Sequence, residues 1–177
     1  IRYDEAKKQY VAEVKEGEEW GLSYQGPHKE MAELLDGPDL FKHMEAPRLS
    51  YKTTLIIAWC IRLMCKDPNV RIFYAMATAG EAKKTSDTLR WILESNEKLT
   101  ALWGEFKPKG KKGWNQSGFV IAQRTDQTLR DPTFQIGALD MERTGVHCTV
   151  LIGDDLVTPE TVKTPLGIAP VESYWKT

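Results

Sequence analysis

Two rhythms of apolar spacing run through the second half of the chain. From residue 53 the segment TTLIIAWCIRLMCK is apolar nearly all round, which predicts a helix buried against a sheet, and Asp67-Pro68-Asn69 stops it. VRIFYAMAT follows, rich in β-branched and aromatic residues, and predicts a buried strand. Residues 81–93 return to helical period. Three further strands are expected: GFVIAQR at 118–124, PTFQIGAL at 132–139 after a polar turn, and CTVLIGDD, an apolar run ending in Asp154 and Asp155. Helix, strand, helix and then apolar strands is the α/β rhythm of a mostly parallel sheet flanked by helices.

The first forty-odd residues are more polar. Residues 4–19, DEAKKQYVAEVKEGEE, carry charges at nearly every turn, with Ala6, Tyr10, Val11 and Val14 as a thin apolar stripe. This pattern predicts a surface helix with a solvated face. Gly26-Pro27 breaks the chain, and 28–35 resumes at helical spacing through Met31, Leu34 and Leu35 until Asp36-Gly37-Pro38. LFKHME at 40–45 is the expected strand feeding the next loop, although Lys42, His43 and Glu45 interrupt the apolar run of a central parallel strand. His43 has no second metal ligand at useful spacing and is read as a strand or loop histidine.

Composition narrows the class. At 177 residues, 41% hydrophobic and 28% charged, the chain is an ordinary globular protein and one domain by length. A net charge of -1 gives no global electrostatic case for nucleic acid, so any such contact needs a local patch. No apolar run is long enough to span a bilayer, no secretory signal opens the chain, and no membrane partner is expected. Cysteines at 60, 65 and 148 fit neither a zinc pattern nor C-x-x-C, so a reducing cytoplasm is the simplest setting. We expect the chain to be a piece of a longer protein.

The candidate chemistry begins at APRLSYKTT, residues 46–54, which runs straight into the buried helix. Set against the phosphate-loop pattern G-x-x-x-x-G-K-[ST], Ala46 and Tyr51 stand where glycines belong, while Lys52 and Thr53 keep the cation and the hydroxyl. In such a loop backbone N–H groups and the helix N-terminus hold phosphates, and a hydroxyl ligates Mg2+. The alternative is a plain helix start with Thr53 or a neighbour as its cap. About a hundred residues on, Asp154 and Asp155 end an apolar strand, where carboxylates can hold a Mg2+ shell and polarise water. Tyr24, Gln25 and His28, some twenty residues ahead of the loop, are candidate adenine contacts or simple packing. KPKGKKGW at 107–114 either tracks a DNA backbone through Lys109, Lys111 and Lys112, with Trp114 as a stacking surface, or is a solvated loop.

APRLSYKTT, then TLRDPTFQIGALDMERTGVH, then LIGDDLVTPETVKTPLG together resemble the N-terminal ATPase domain of a viral terminase large subunit, the motor that packages double-stranded DNA of tailed bacteriophages. The resemblance spans roughly residues 20–170, and the order DPT-x-Q-x-G, R-TG-x-H, DD-L-V-T is its most specific part. It implies an α/β P-loop NTPase fold of the RecA/ASCE-like kind in one ATPase domain. Residues 1–38 would be a helical, adenine-side segment, 39–165 the P-loop core, and 166–177 the start of a linker to a further C-terminal region.

It implies ATP and Mg2+ as cofactors, held by a Walker A loop of Ala46, Pro47, Arg48, Leu49, Ser50, Tyr51, Lys52, Thr53 and Thr54. Lys52 would meet the β- and γ-phosphates and Thr53 the metal. Asp154 of the Walker B strand would support the metal, and Asp155 takes the usual place of a catalytic glutamate. Arg143 is either an arginine finger on a neighbouring subunit's nucleotide or a surface arginine pairing with Asp140 or Glu142. Implied partners are double-stranded DNA, the portal protein, the small terminase subunit and further copies in a ring, with monomers in isolation. The implied location is the host cytoplasm, at the procapsid portal. Nuclease activity would belong to a C-terminal domain outside these residues. Two other readings stay open: a helicase-like ATPase, and a non-hydrolysing assembly module with a degenerate loop.

Overall fold

The structure is a computed structural model that describes residues 2–4, 9–11, 27–47, 49–110, 113–139, 141 and 145–157. The chain divides into two compact units, Ile1–Trp59 and Cys60–Thr177.

In the first unit, β1 (Arg2–Asp4) and β2 (Gln9–Val11) pair antiparallel with Tyr3 opposite Tyr10. Residues 4 and 9–11 are therefore strand rather than part of the surface helix expected over 4–19, of which 5–8 and 12–19 lie outside the described residues. A stripe as thin as Ala6, Tyr10, Val11 and Val14 gives a helix little to bury, and isolated helices of this length are marginal in water. Tyr and Val favour the extended chain instead. Helix α1 (Pro27–Asp36) matches its expected bounds: Pro27 opens it, Glu30 sits in its first turn, and Pro27, His28 and Met31 are buried. Past Gly37 no strand forms at 42–47. Leu40 and Phe41 are 88% and 89% exposed, and the Lys42 ammonium donates to the Gly37 and Asp39 carbonyls at 2.8 and 2.6 Å. The expected strand over 40–45 is thus corrected to an irregular, largely exposed segment, because Lys42, His43 and Glu45, three polar side chains in six residues, suit no central strand position.

Helix α2 (Lys52–Lys66) buries Ile56, Ile57, Cys60 and Met64 along one stripe while Thr54, Ala58 and Arg62 are exposed, so its burial is one-sided rather than all round. The boundary between the units falls within it. It ends as expected, the Asp67 N–H bonding Leu63 O and the Asp67 carboxylate accepting the Asn69 N–H at 2.8 Å.

The second unit is built on β3 (Ile72–Met76), every residue of which is buried. It runs parallel to β6 (Phe134–Ala138) on one side and β7 (Val150–Gly153) on the other. The hairpin of β4 (Trp114–Asn115) and β5 (Gly118–Phe119) extends the sheet antiparallel beyond β6, giving the order β4-β5-β6-β3-β7. This is a mixed α/β unit with a mostly parallel five-stranded sheet, as the pattern of apolar runs implied. The strand expected over 118–124 is cut to its first two residues, because Ala122 N–H bonds Phe106 O and Ile121 N–H bonds the Thr133 hydroxyl, outside any strand ladder. Gly118 allows β5 to lie close: a Cβ there would stand 2.9 Å from Phe134 O.

Helix α3 (Ala79–Ser95) starts on a Thr78 cap whose hydroxyl accepts the Glu81 N–H, and it packs on β3 and β6 through Ala82, Thr85, Ser86, Leu89 and Leu93. Asn96 closes α3 and caps the short α4 (Glu97–Trp103). On one face of the sheet a row of rings crosses four strands: Trp114 to Phe119 at 4.6 Å, Phe119 to Phe134 at 5.4 Å, Phe134 to Tyr74 at 5.8 Å. On the other face Phe73 and Ala75 pack with Leu156, Leu139, Val146 and Cys148.

The row predicts that Phe134→Ala costs about 3–5 kcal/mol in urea unfolding, against under about 0.5 kcal/mol for Leu102→Ala on exposed α4. Glu94 of α3 accepts both the Lys107 ammonium at 2.7 Å and the Trp114 indole N–H at 2.6 Å. Chiefly the Lys107 hydrogen bond, opposed by partial burial and aided by Trp114, holds its carboxyl below the usual range. Its stabilisation is therefore present above the ordinary carboxylate pKa and is lost as pH falls through the lowered value. The deficit of Glu94→Gln, under about 1 kcal/mol at neutral pH for so exposed a pair, should fade in acid unfolding titrations.

Candidate functional site

The loop before α2 departs from ordinary backbone geometry. Leu49 has φ 65 and Tyr51 φ 58, and Asp155, after β7, has φ 47. Among the described residues no other non-glycine has positive φ. The left-handed region costs an L-residue with a Cβ roughly 1–2 kcal/mol, less for Asp. Strain of this kind gathers at functional sites, where surrounding structure over-determines it.

In the first unit the loop is braced from α1. The buried His28 ring donates Nε2–H to the Ser50 carbonyl at 3.1 Å and meets the Tyr51 ring edge-on, centroids 6.1 Å apart. Ser50 N–H bonds Pro47 O at 3.3 Å, and Tyr51 O accepts the Leu55 N–H at 2.9 Å, the first turn of α2. Tyr51 therefore holds the capping position that Ser, Thr, Asp or Asn ordinarily fill, and no acidic residue lies in the first turn. Thr53, expected as the cap on the plain-helix alternative, is inside the helix instead. Lys52, Thr53 and Thr54 open α2, and Ala46 and Pro47 lead into the loop. The Ser50 hydroxyl is buried in the loop with no hydrogen-bond partner. A loop with left-handed residues at alternate positions, entering a helix N-terminus with an orphaned hydroxyl and a lysine, has the donors an oxyanion needs. Of the adenine candidates, His28 presents its Nε2 edge to the loop itself, while Tyr24, Gln25 and the loop's Arg48 lie outside the described residues.

In the second unit the acids follow β7. The Asp154 N–H continues the ladder to Ala75 O at 2.9 Å, and the side chain is 3% exposed. Tyr74, in the middle of β3, donates its hydroxyl to Asp154 Oδ2 at 2.7 Å. Burial first, then the Asp154 charge, push the phenol's pKa far above its ordinary value, so it remains a protonated donor. Asp155 is exposed. Tyr74 was not among the residues the sequence singled out, though a tyrosine inside the buried run IFYAM signals a hydroxyl that must find a partner.

His147 Nδ1 lies 3.5 Å from Asp131 Oδ2, before β6 and β7 begin, so this part of the R-TG-x-H stretch is at the opposite strand ends from Asp154. Arg143, with Asp140 and Glu142, lies outside the described residues. In the basic stretch Lys109 is exposed, and Lys111 and Lys112 lie outside the described residues. Trp114 is buried against Phe119 with its N–H held by Glu94, which corrects its assignment as a stacking surface for DNA bases.

Burial pushes the Cys60 thiol up to about 12, and none of the three cysteines is in a disulfide. Among the described residues no cluster of three or more His, Cys, Asp or Glu could hold a metal on its own, and no helix is long and apolar enough to cross a membrane. Against models of known protein families and against curated proteins, the chain has no match.

Leu49 is 80% exposed, so its backbone dominates its energetics. Leu49→Gly should leave urea stability unchanged or raise it by up to about 1 kcal/mol, while Leu49→Val should lose about 1 kcal/mol.

Proposed function

We propose that the chain is an ATP-hydrolysing motor domain of the viral terminase large-subunit kind, driving double-stranded DNA into procapsids. The observation that carries this reading is where the backbone strain falls. The non-glycine residues at positive φ are Leu49 and Tyr51, in the loop singled out for phosphate, and Asp155, in the acidic pair singled out for water activation. Strain selected for packing alone has no reason to choose those two stretches.

In this reading the loop N–H groups, the Ser50 hydroxyl and Lys52 bind the phosphates of ATP. Thr53 and Asp154 would hold Mg2+, which when bound supplies charge neutralisation on the β- and γ-phosphates. Asp155, exposed beyond the sheet, accepts a proton from the attacking water and orients it. Arg143 is the proposed finger on a neighbouring subunit's nucleotide, and Lys109, Lys111 and Lys112 are proposed DNA contacts. The RecA/ASCE-like P-loop fold, the ring of subunits, the portal and small-subunit partners and the location at the procapsid belong to the same proposal. It requires residue 52 and the acids at 154 and 155 to face one triphosphate.

A second reading, a non-hydrolysing assembly module, is favoured by one observation: no strand feeds the loop, since 42–47 are irregular. Titration with a fluorescent ATP analogue and ATP turnover with and without DNA separate the two. The motor reading expects Mg2+-dependent binding that Lys52→Ala weakens roughly 10- to 100-fold, as for loss of a charge-assisted contact. Turnover that survives Lys52→Ala removes the site assignment, and absence of nucleotide binding favours the assembly module.

A further inference from the structure

Resting on the nucleotide reading above, we propose that Tyr74 is the positioning residue for Asp154, fixing how that carboxylate faces the nucleotide's metal. The register places Tyr74 opposite Ile152 and Ala75 opposite Gly153, so Asp154 is the first residue past the paired part of β7. The backbone is still held there, the Asp154 N–H bonding Ala75 O at 2.9 Å, while the side chain is placed by its own contacts. One comes from the neighbouring strand: Tyr74 Oη donates to Oδ2 at 2.7 Å, and both residues are buried. A carboxylate turns about its last torsion over a broad range, and a strong donor on one oxygen narrows that range.

The donor is itself held. Tyr74 is fully buried and its ring packs at 5.8 Å on Phe134, while the Thr85 hydroxyl of α3 donates to Met76 Sδ at 3.5 Å at the end of the same strand. A donor fixed by the sheet therefore sets the direction of a group placed at the end of β7. If the bond only satisfied two buried polar groups, its loss would lower stability and change nothing in metal binding. If it positions Asp154, its loss weakens the metal and spares the nucleotide's other contacts. Outer-sphere partners of this sort typically change metal affinity by 10–100-fold.

The test uses the full chain with Mn2+ and the non-hydrolysable analogue AMP-PNP. Bound Mn2+ is counted by electron paramagnetic resonance, AMP-PNP affinity is measured separately in EDTA, and folding is followed by circular dichroism. Tyr74→Phe should raise the Mn2+ midpoint about tenfold or more, with AMP-PNP affinity in EDTA within about twofold of the parent. A midpoint within about twofold of the parent's, whatever the melting temperature does, overturns the proposal and makes Tyr74 a packing residue. Should Tyr74→Phe not fold, Phe134→Leu, which removes the ring that Tyr74 packs on and leaves its hydroxyl in place, decides: a midpoint raised at least about twofold supports the proposal, and an unchanged one overturns it. A parent chain that binds no AMP-PNP sinks the nucleotide reading and this proposal with it. A parent that binds normally while the variants leave Mn2+ unmoved sinks this proposal alone.

Discussion

The parallel pairing of β3 with a strand on each of its edges is the constraint on which the second unit depends. Parallel strands buried on both faces must be apolar throughout, and Ile72–Met76 is, apart from one hydroxyl. One face of β3 continues the aromatic row from Trp114 to Tyr74, and the other closes over Leu156. Because β6 and β7 both run with β3, the residues that follow them emerge at one end of the sheet, with Asp154 bonded to the last turns of β3's ladder through Ala75. The polar side chain in β3, Tyr74, meets the buried acid at that end, Asp154. Fold and candidate chemistry are thus joined by one register.

The first unit is organised by different physics. Its candidate loop is not held by apolar burial but by a histidine on α1, whose ring bonds a loop carbonyl and touches Tyr51. A loop carrying Leu and Tyr in the left-handed region needs such support, since each residue gives up roughly 1–2 kcal/mol of backbone energy relative to a glycine. The absence of a glycine at 51 therefore does not keep the backbone there out of the left-handed region. It transfers the cost from sequence choice to the surroundings.

Much of the second unit was legible in the sequence because long apolar runs have few places to go. The helices over 52–66 and 79–95 and the strands at 72–76, 134–138 and 150–153 all follow from spacing and from breakers such as Pro68. What failed were short or weakly patterned stretches. Residues 2–4 and 9–11 pair as strands because a thin stripe cannot anchor a helix, and 120–124 leave the ladder because their N–H groups bond scattered partners at 113, 133, 106 and 121. Of the candidate site, the strain at Tyr51 was foreseeable from the missing glycine. The His28 brace and the Tyr74 bond were not, since both join residues 22 and 80 positions apart and no local pattern carries them.

The account stands or falls on whether the loop at 49–53 and the acids at 154 and 155 serve one ligand. An experimental structure of the chain soaked with Mg2+ and a non-hydrolysable ATP analogue tests this most directly. The account predicts a triphosphate seated on the loop, with the Lys52 ammonium on its outer phosphates and the metal between them and Asp154. A triphosphate bound elsewhere, or the Tyr51 ring filling the space that phosphate needs, would contradict it.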